Sequence, residues 1–240
     1  MRKLVALSLG DLKNITRDAM LIVAIFAPIA LAFFVKFTFP FVTKVAYEMF
    51  SLDLVEHYEF IMSFLILLSP FMVGVMAGLM LLDEQDDNIL AYIAVTPLSK
   101  TNYLIYRLLS PMVISFILTI FIIVFTGLVQ FKYQLLPIAF MVALEAPIMA
   151  LFMGTFANNK VEGLAITKGA GIILFAPLVG YFITEKWNFI AGIFPTYWVS
   201  KIFVASYDSI NNYIIYMIMG FIIHGLYIFF FLNKFNYKQT

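Results

Sequence analysis

A chain of 240 residues that is 63% hydrophobic and 12% charged, with a mean hydropathy of +0.99, falls well short of the roughly 25% charge of a soluble domain. That composition belongs to a polytopic membrane protein, and a net charge of +1 offers nucleic acid no electrostatic footprint. The absence of cysteine excludes disulfides, thiolate nucleophiles and cysteine-held metals.

Residues 2–18 carry a helical pattern. Leu4, Val5, Leu12 and Ile15 share one face, and Lys3, Lys13, Asn14 and Arg17 cluster on the other. The pattern predicts an amphipathic helix on the membrane surface, with a frayed polar tail as the alternative. No small-x-small cleavage site follows, so the first apolar run is expected to stay as a membrane helix.

Six apolar stretches, near 19–37, 60–82, 103–129, 135–157, 163–184 and 212–233, are long enough to cross roughly 30 Å of hydrocarbon. The connections are short. The expected fold is therefore an all-α integral membrane protein, one transmembrane domain over 1–240, with six transmembrane helices. Pro28, Pro70, Pro111, Pro147 and Pro177 fall inside five of the spans, as fixed kinks or as hinges. With both termini cytoplasmic, ten of the fifteen Lys and Arg residues lie inside and five outside, which satisfies the positive-inside rule.

Between the second and third spans, residues 83–87 read DEQDD, followed by NILAYIAVTPLS. Asp86 or Asp87 suits the N-terminus of a short helix, and Pro97 ends it. Ile89, Leu90, Ile93 and Ala94 give that helix an apolar face without a partner in the chain, so the face asks for a protein or lipid surface. A plain solvated loop is the bland alternative. A third is an integral membrane transferase that uses the acids with Mg²⁺ to hold a diphosphate. Against it, the other inner-side acids, Asp11, Asp18 and Glu162, are isolated.

Glu145 falls midway along the fourth span, and His224 at similar depth in the sixth. An acid at that depth costs roughly 2.5–3.5 kcal/mol on insertion scales, so it must face the bundle, take a proton or find a partner. Glu145 is thus a candidate for packing or for a substrate path or gate, with His224 as a candidate partner. Residues 185–205 are apolar but interrupted by Pro195 and Lys201. They are expected as short helices lying in or dipping into the outer interface, with Trp187, Tyr197 and Trp198 as anchors.

Residues 84–99 resemble the cytosolic loop of type-2 ABC exporter permeases. That loop reads Glu, three mostly charged residues, Gly-Thr-Leu, and then Ser-Pro-Leu-Ser. Glu84 takes the Glu position, Leu90 the Leu, and Thr96-Pro97-Leu98-Ser99 the closing motif, without a gap. Asn88 and Ile89 depart from the usual Gly-Thr. Tyr103–Leu109 resembles the start of the family's third span, with Arg107 where a basic residue is usual. The surface helix and IFPTYW (193–198) match in position.

The resemblance implies that Glu84, Asp86, Asp87, Asn88, Leu90, Ile93 and Pro97 belong to a coupling helix docking on a separate ATPase. No P-loop occurs in the chain, so ATP and Mg²⁺ would be bound by that partner, with no cofactor here. The expected assembly has two ABC ATPase subunits and a second permease, identical or related, in the cell membrane. Size and the lack of an outer domain resemble drug and amphipathic-peptide exporters, including those for phenol-soluble modulins. The expected function is ATP-driven export of an amphipathic or apolar molecule, with no covalent chemistry in this chain. A structural or regulatory membrane protein is a further alternative.

Overall fold

The computed structural model describes residues 19–87, 100–183 and 188–238. The expected surface helix 2–18, and Asn88, Leu90, Ile93 and Pro97 of the loop, lie outside the described residues.

Among the described residues there are nine α-helices and no strands. Helix α1 runs Ala19–Phe50, α2 Tyr58–Asp86, α3 Lys100–Thr126 and α4 Leu135–Phe156. The next span comes in three parts: α5 (Lys160–Ala170), a 3-10 stretch (Gly171–Phe175) and α6 (Ala176–Phe182). Two short helices, α7 (Asn188–Ala191) and α8 (Pro195–Asp208), precede the long α9 (Ile210–Lys238). Six segments are long and apolar enough to cross a membrane: Ile22–Phe50, Leu54–Asp86, Tyr103–Thr126, Leu135–Phe156, Lys160–Phe182 and Ile210–Lys238. The all-α fold with six membrane-spanning helices is what the run lengths predict, and the chain is a multi-pass membrane protein.

The first helix outruns its expected end at residue 37. Its 32 residues reach about 48 Å. Phe39, Phe41, Val42 and Val45 keep it apolar, and membrane helices tolerate a proline such as Pro40 in mid-course.

Apart from Glu145, helix α4 is apolar on nearly every side, and a helix of that kind belongs in the interior. Ile138, Met141, Val142, Ala146 and Met153 are fully buried. Close approach to α2 depends on a small residue. A Cβ added at Gly74 would lie 2.7 Å from the Ala146 carbonyl oxygen, so only glycine lets the backbones meet. Helices α1 and α9 form the periphery and turn Phe26, Phe34, Ile215 and Phe229 outward.

The segment after α6 turns back into the bundle. At the far end of that span the Tyr181 hydroxyl lies 2.6 Å from His57 Nδ1, and its ring stacks on Phe60, at the start of α2. Ala191 then packs with Ala176 and Tyr197, and the Thr196 hydroxyl donates to the Ile173 carbonyl at 2.8 Å. Helix α8 climbs back out, and the Tyr207 hydroxyl donates to the Gln130 carbonyl at 2.6 Å in the loop between α3 and α4. The segment enters and leaves at one end. Its 14-residue helix is about 21 Å long, short of a crossing. Residues 188–205 thus dip into the bundle, where Val199, Ile202 and Phe203 sit in the main core with Met62, Ile66 and Ile138, while the expected anchor Trp187 lies outside the described residues.

Candidate functional site

Non-helical backbone at membrane depth survives only where its polar groups are satisfied or face a cavity. Both conditions hold at the turn before α8. The Trp198 indole N–H donates to Gly192 O at 2.7 Å, and Phe194 N–H donates to Ala191 O at 3.0 Å. The 3-10 stretch of the broken span stands opposite. Pro177, expected as a kink, lies in the first turn of α6, where its missing N–H costs nothing.

A cavity of about 540 Å³ opens between these parts, α4 and α9. That volume suits a drug-sized ligand. Phe194, Pro195 and Thr196 form one wall, Ile173 and Leu174 another, and Leu67 and Phe71 of α2 reach in from behind. Phe152 of α4 and Tyr227 and Phe230 of α9 add aromatic surface. Glu145 is the acid on this lining.

Glu145 and His224, 79 residues apart, are brought together. Glu145 is 8% exposed and His224 fully buried. His224 Nδ1 lies 2.7 Å from the Gly220 carbonyl, which can only accept, so Nδ1 carries a proton and donates it. Nε2 then faces Glu145 Oε1 at 3.2 Å. One proton satisfies that contact. It sits on Glu145 beside a neutral imidazole, or on Nε2 beside a carboxylate, and the pair is neutral overall in both forms.

The acidic cluster divides in two. Glu84 is 8% exposed and ion-paired with Arg107, while Asp83 Oδ2 accepts from Lys160 Nζ at 2.7 Å. Asp86 and Asp87 are exposed. Gln85 donates to Gly154 O at 3.4 Å, and Lys238 donates to Gly154 O at 3.2 Å and to Ala157 O, so cations and amides cap the end of α4. Asn159 caps α5 by accepting from Glu162 N–H at 2.9 Å. Two of the acids needed by the transferase alternative thus face intramolecular cations. Among the described residues no group of three or more His, Asp or Glu is placed to hold a metal.

Sequence reasoning missed Thr196, Tyr227 and the break in the fifth span. Gly169 and Gly171 ahead of Pro177 carry a signal for the break. Nothing in the local sequence marks Thr196, whose role comes from a carbonyl 23 residues away.

A six-span bundle enclosing a mid-depth, aromatic, singly acidic cavity has the form of a membrane transport protein. The chain matches the family model described as "Fluoroquinolones export permease protein Rv2686c-like" over residues 11–232. The Fluoroquinolones export permease proteins Rv2686c of Mycobacterium tuberculosis (strain ATCC 25618 / H37Rv) and MT2760 of Mycobacterium tuberculosis (strain CDC 1551 / Oshkosh) are each 29% identical to it over 211 residues. The match covers 86% of this chain and 84% of each relative. No solved structure matches significantly. The chain belongs to the Rv2686c-like export permease family. It is the membrane subunit of a transporter and not an enzyme, in keeping with its resemblance to ABC exporter permeases.

Proposed function

We propose that the chain forms the path for a drug-sized aromatic amphiphile of the fluoroquinolone kind, driven by a separate ABC ATPase. The observation that carries this reading is the cavity of about 540 Å³, walled by aromatic side chains and one acid, within an export permease. The relatives' names point to the same substrate class. A helical peptide of about 20 residues would be about 30 Å long and does not suit a cavity of this volume, so a modulin-type peptide is disfavoured.

The loop 84–99 docks on the ATPase, on the cytoplasmic side with both termini. Leu90 and Ile93 insert in a groove of the ATPase, and Asp86 and Asp87 guide association at its rim. Glu84 contributes from beneath, holding the root of the loop against Arg107. Two ATPases and a second permease, identical or related, complete the transporter.

The test is ATP-dependent loss of an intrinsically fluorescent fluoroquinolone from cells or vesicles carrying the permease with its ATPase. Burying an apolar side chain contributes roughly 1.5–3 kcal/mol, so Leu90→Asp or Ile93→Asp should uncouple efflux or lose the ATPase on copurification. Efflux unchanged by either substitution would refute the docking assignment. Absence of efflux from the intact transporter would refute the substrate class.

A further inference from the structure

We infer that the cavity is a cation-for-proton exchange site, in which an aromatic monocation binds against the Glu145 carboxylate and displaces the proton that Glu145 shares with His224. This deepens the reading of the cavity as the substrate path and rests on it.

Three features of the site lead there. The lining carries Glu145 and no Lys or Arg, so its fixed polarity favours a cation over an anion. Its rings are suited to the same charge, because a cation over an aromatic face is attracted by the ring quadrupole. Phe156, on the cavity wall, already holds the Lys234 ammonium 4.2 Å from its centroid. Finally, the empty site needs a proton. With His224 Nδ1 committed to Gly220 O, removing the shared proton leaves a bare carboxylate against an imidazole lone pair, in a largely apolar surround. An arriving cation restores the balance by taking the proton's place.

The exchange conserves charge and atoms. The neutral pair plus a monocation gives a Glu145 carboxylate–cation contact, neutral His224 still donating from Nδ1, and one proton released to water through the cavity mouth. No covalent bond to carbon forms or breaks.

The charged group nearest the cavity wall is Lys234 of α9, whose ammonium stands over Phe156. The second span carries no titratable group between Glu59 and Asp83, the third none between Arg107 and Lys132, and the fifth none between Lys168 and Tyr181. Helix α8 brings Tyr197 and Lys201, while α9 brings Tyr227 beside His224 itself. Tyr227 lines the cavity with a hydroxyl that is neutral across the working range.

The experiment uses the purified full chain in a neutral detergent with tetraphenylphosphonium as the probe. Displaceable binding is measured across a pH series, and proton release with a pH indicator in weak buffer. The expected result is about one proton released per bound cation and an affinity that tightens about tenfold per pH unit until the pair is already deprotonated. Triphenylphosphine oxide, neutral and of related shape, should bind without proton release. Glu145→Gln should lose both the affinity and its pH dependence. If that variant fails to fold, the proton count on the unmodified protein decides alone. No displaceable binding, or binding without proton release, overturns the proposal. Fluoroquinolone efflux without a tetraphenylphosphonium site would sink the exchange site and keep the export reading. Proton-linked binding without efflux would do the reverse.

Discussion

Glu84 and Glu145 are equally buried, at 8% exposure each, and differ in their partners. Glu84 faces an arginine, which never gives up its charge in a protein. Glu145 faces a histidine, which does. The first pair is a fixture: it ties the end of α2 to α3. The second is conditional, because the charge on each partner depends on where one shared proton sits. Two acids of similar burial thus meet different partners, one with a permanent charge at the end of α2 and one that shares a proton on the cavity wall.

The largest effect is expected at the fixture. Arg107→Met leaves Glu84 buried without its guanidinium partner, and stability should fall by about 3–5 kcal/mol. Thermal inactivation in detergent would show it, and adding Glu84→Gln should recover much of the loss. An Arg107→Met protein as stable as its parent would mean that the pair fixes nothing. At the conditional pair, Glu145→Gln keeps shape and hydrogen bonding but removes ionisation. Export should drop about tenfold or more, the equivalent of ~1.4 kcal/mol, while copurification with the ATPase is retained. Wild-type export from that variant would take ionisation out of the mechanism.

A smaller effect is expected where the broken span meets the re-entrant turn. Thr196→Val removes the donor to Ile173 O and should cost about 1 kcal/mol, read as a lower melting temperature. The smallest belongs to Asp83–Lys160, which is about two-fifths exposed. Lys160→Ala should change stability by no more than about 1 kcal/mol, and less in high salt. A loss comparable to that of Arg107→Met would show this outer pair to be part of the fixture.

The spans were legible because their signal is local: a run of apolar residues long enough for the bilayer. Glu145 and His224 were legible for a related reason, since an ionisable residue inside such a run stands out. The partners of Asp83 and Glu84 were not. A charge at the end of a span reads as solvated unless the three-dimensional neighbour is known, and Lys160 is 77 residues away. The depth of 188–205 was equally hidden. Pro195 and Lys201 announced that the segment does not run straight through. Only the contacts of Val199, Ile202 and Phe203 with α2 and α4 show how far in it goes. The break in the fifth span fell between these cases, with its glycines in view but its carbonyl partner, Thr196, out of reach.

The re-entrant helix also bears on the order in which the chain is assembled. At 14 residues with Lys201 in its middle, α8 is a poor candidate for insertion on its own. Its burial depends on a seat already built: Ser200 Oγ meets Ser63 Oγ of α2 at 2.9 Å, and Phe203 enters the core beside α4. Helix α9, synthesised afterwards, closes over it through Tyr213 and Tyr216. The cavity wall made by Phe194 and Thr196 therefore forms late in biogenesis. A chain stopped before α9 would present an unfinished groove to the membrane's quality-control proteases, with five spans in place and nothing yet to hold a substrate.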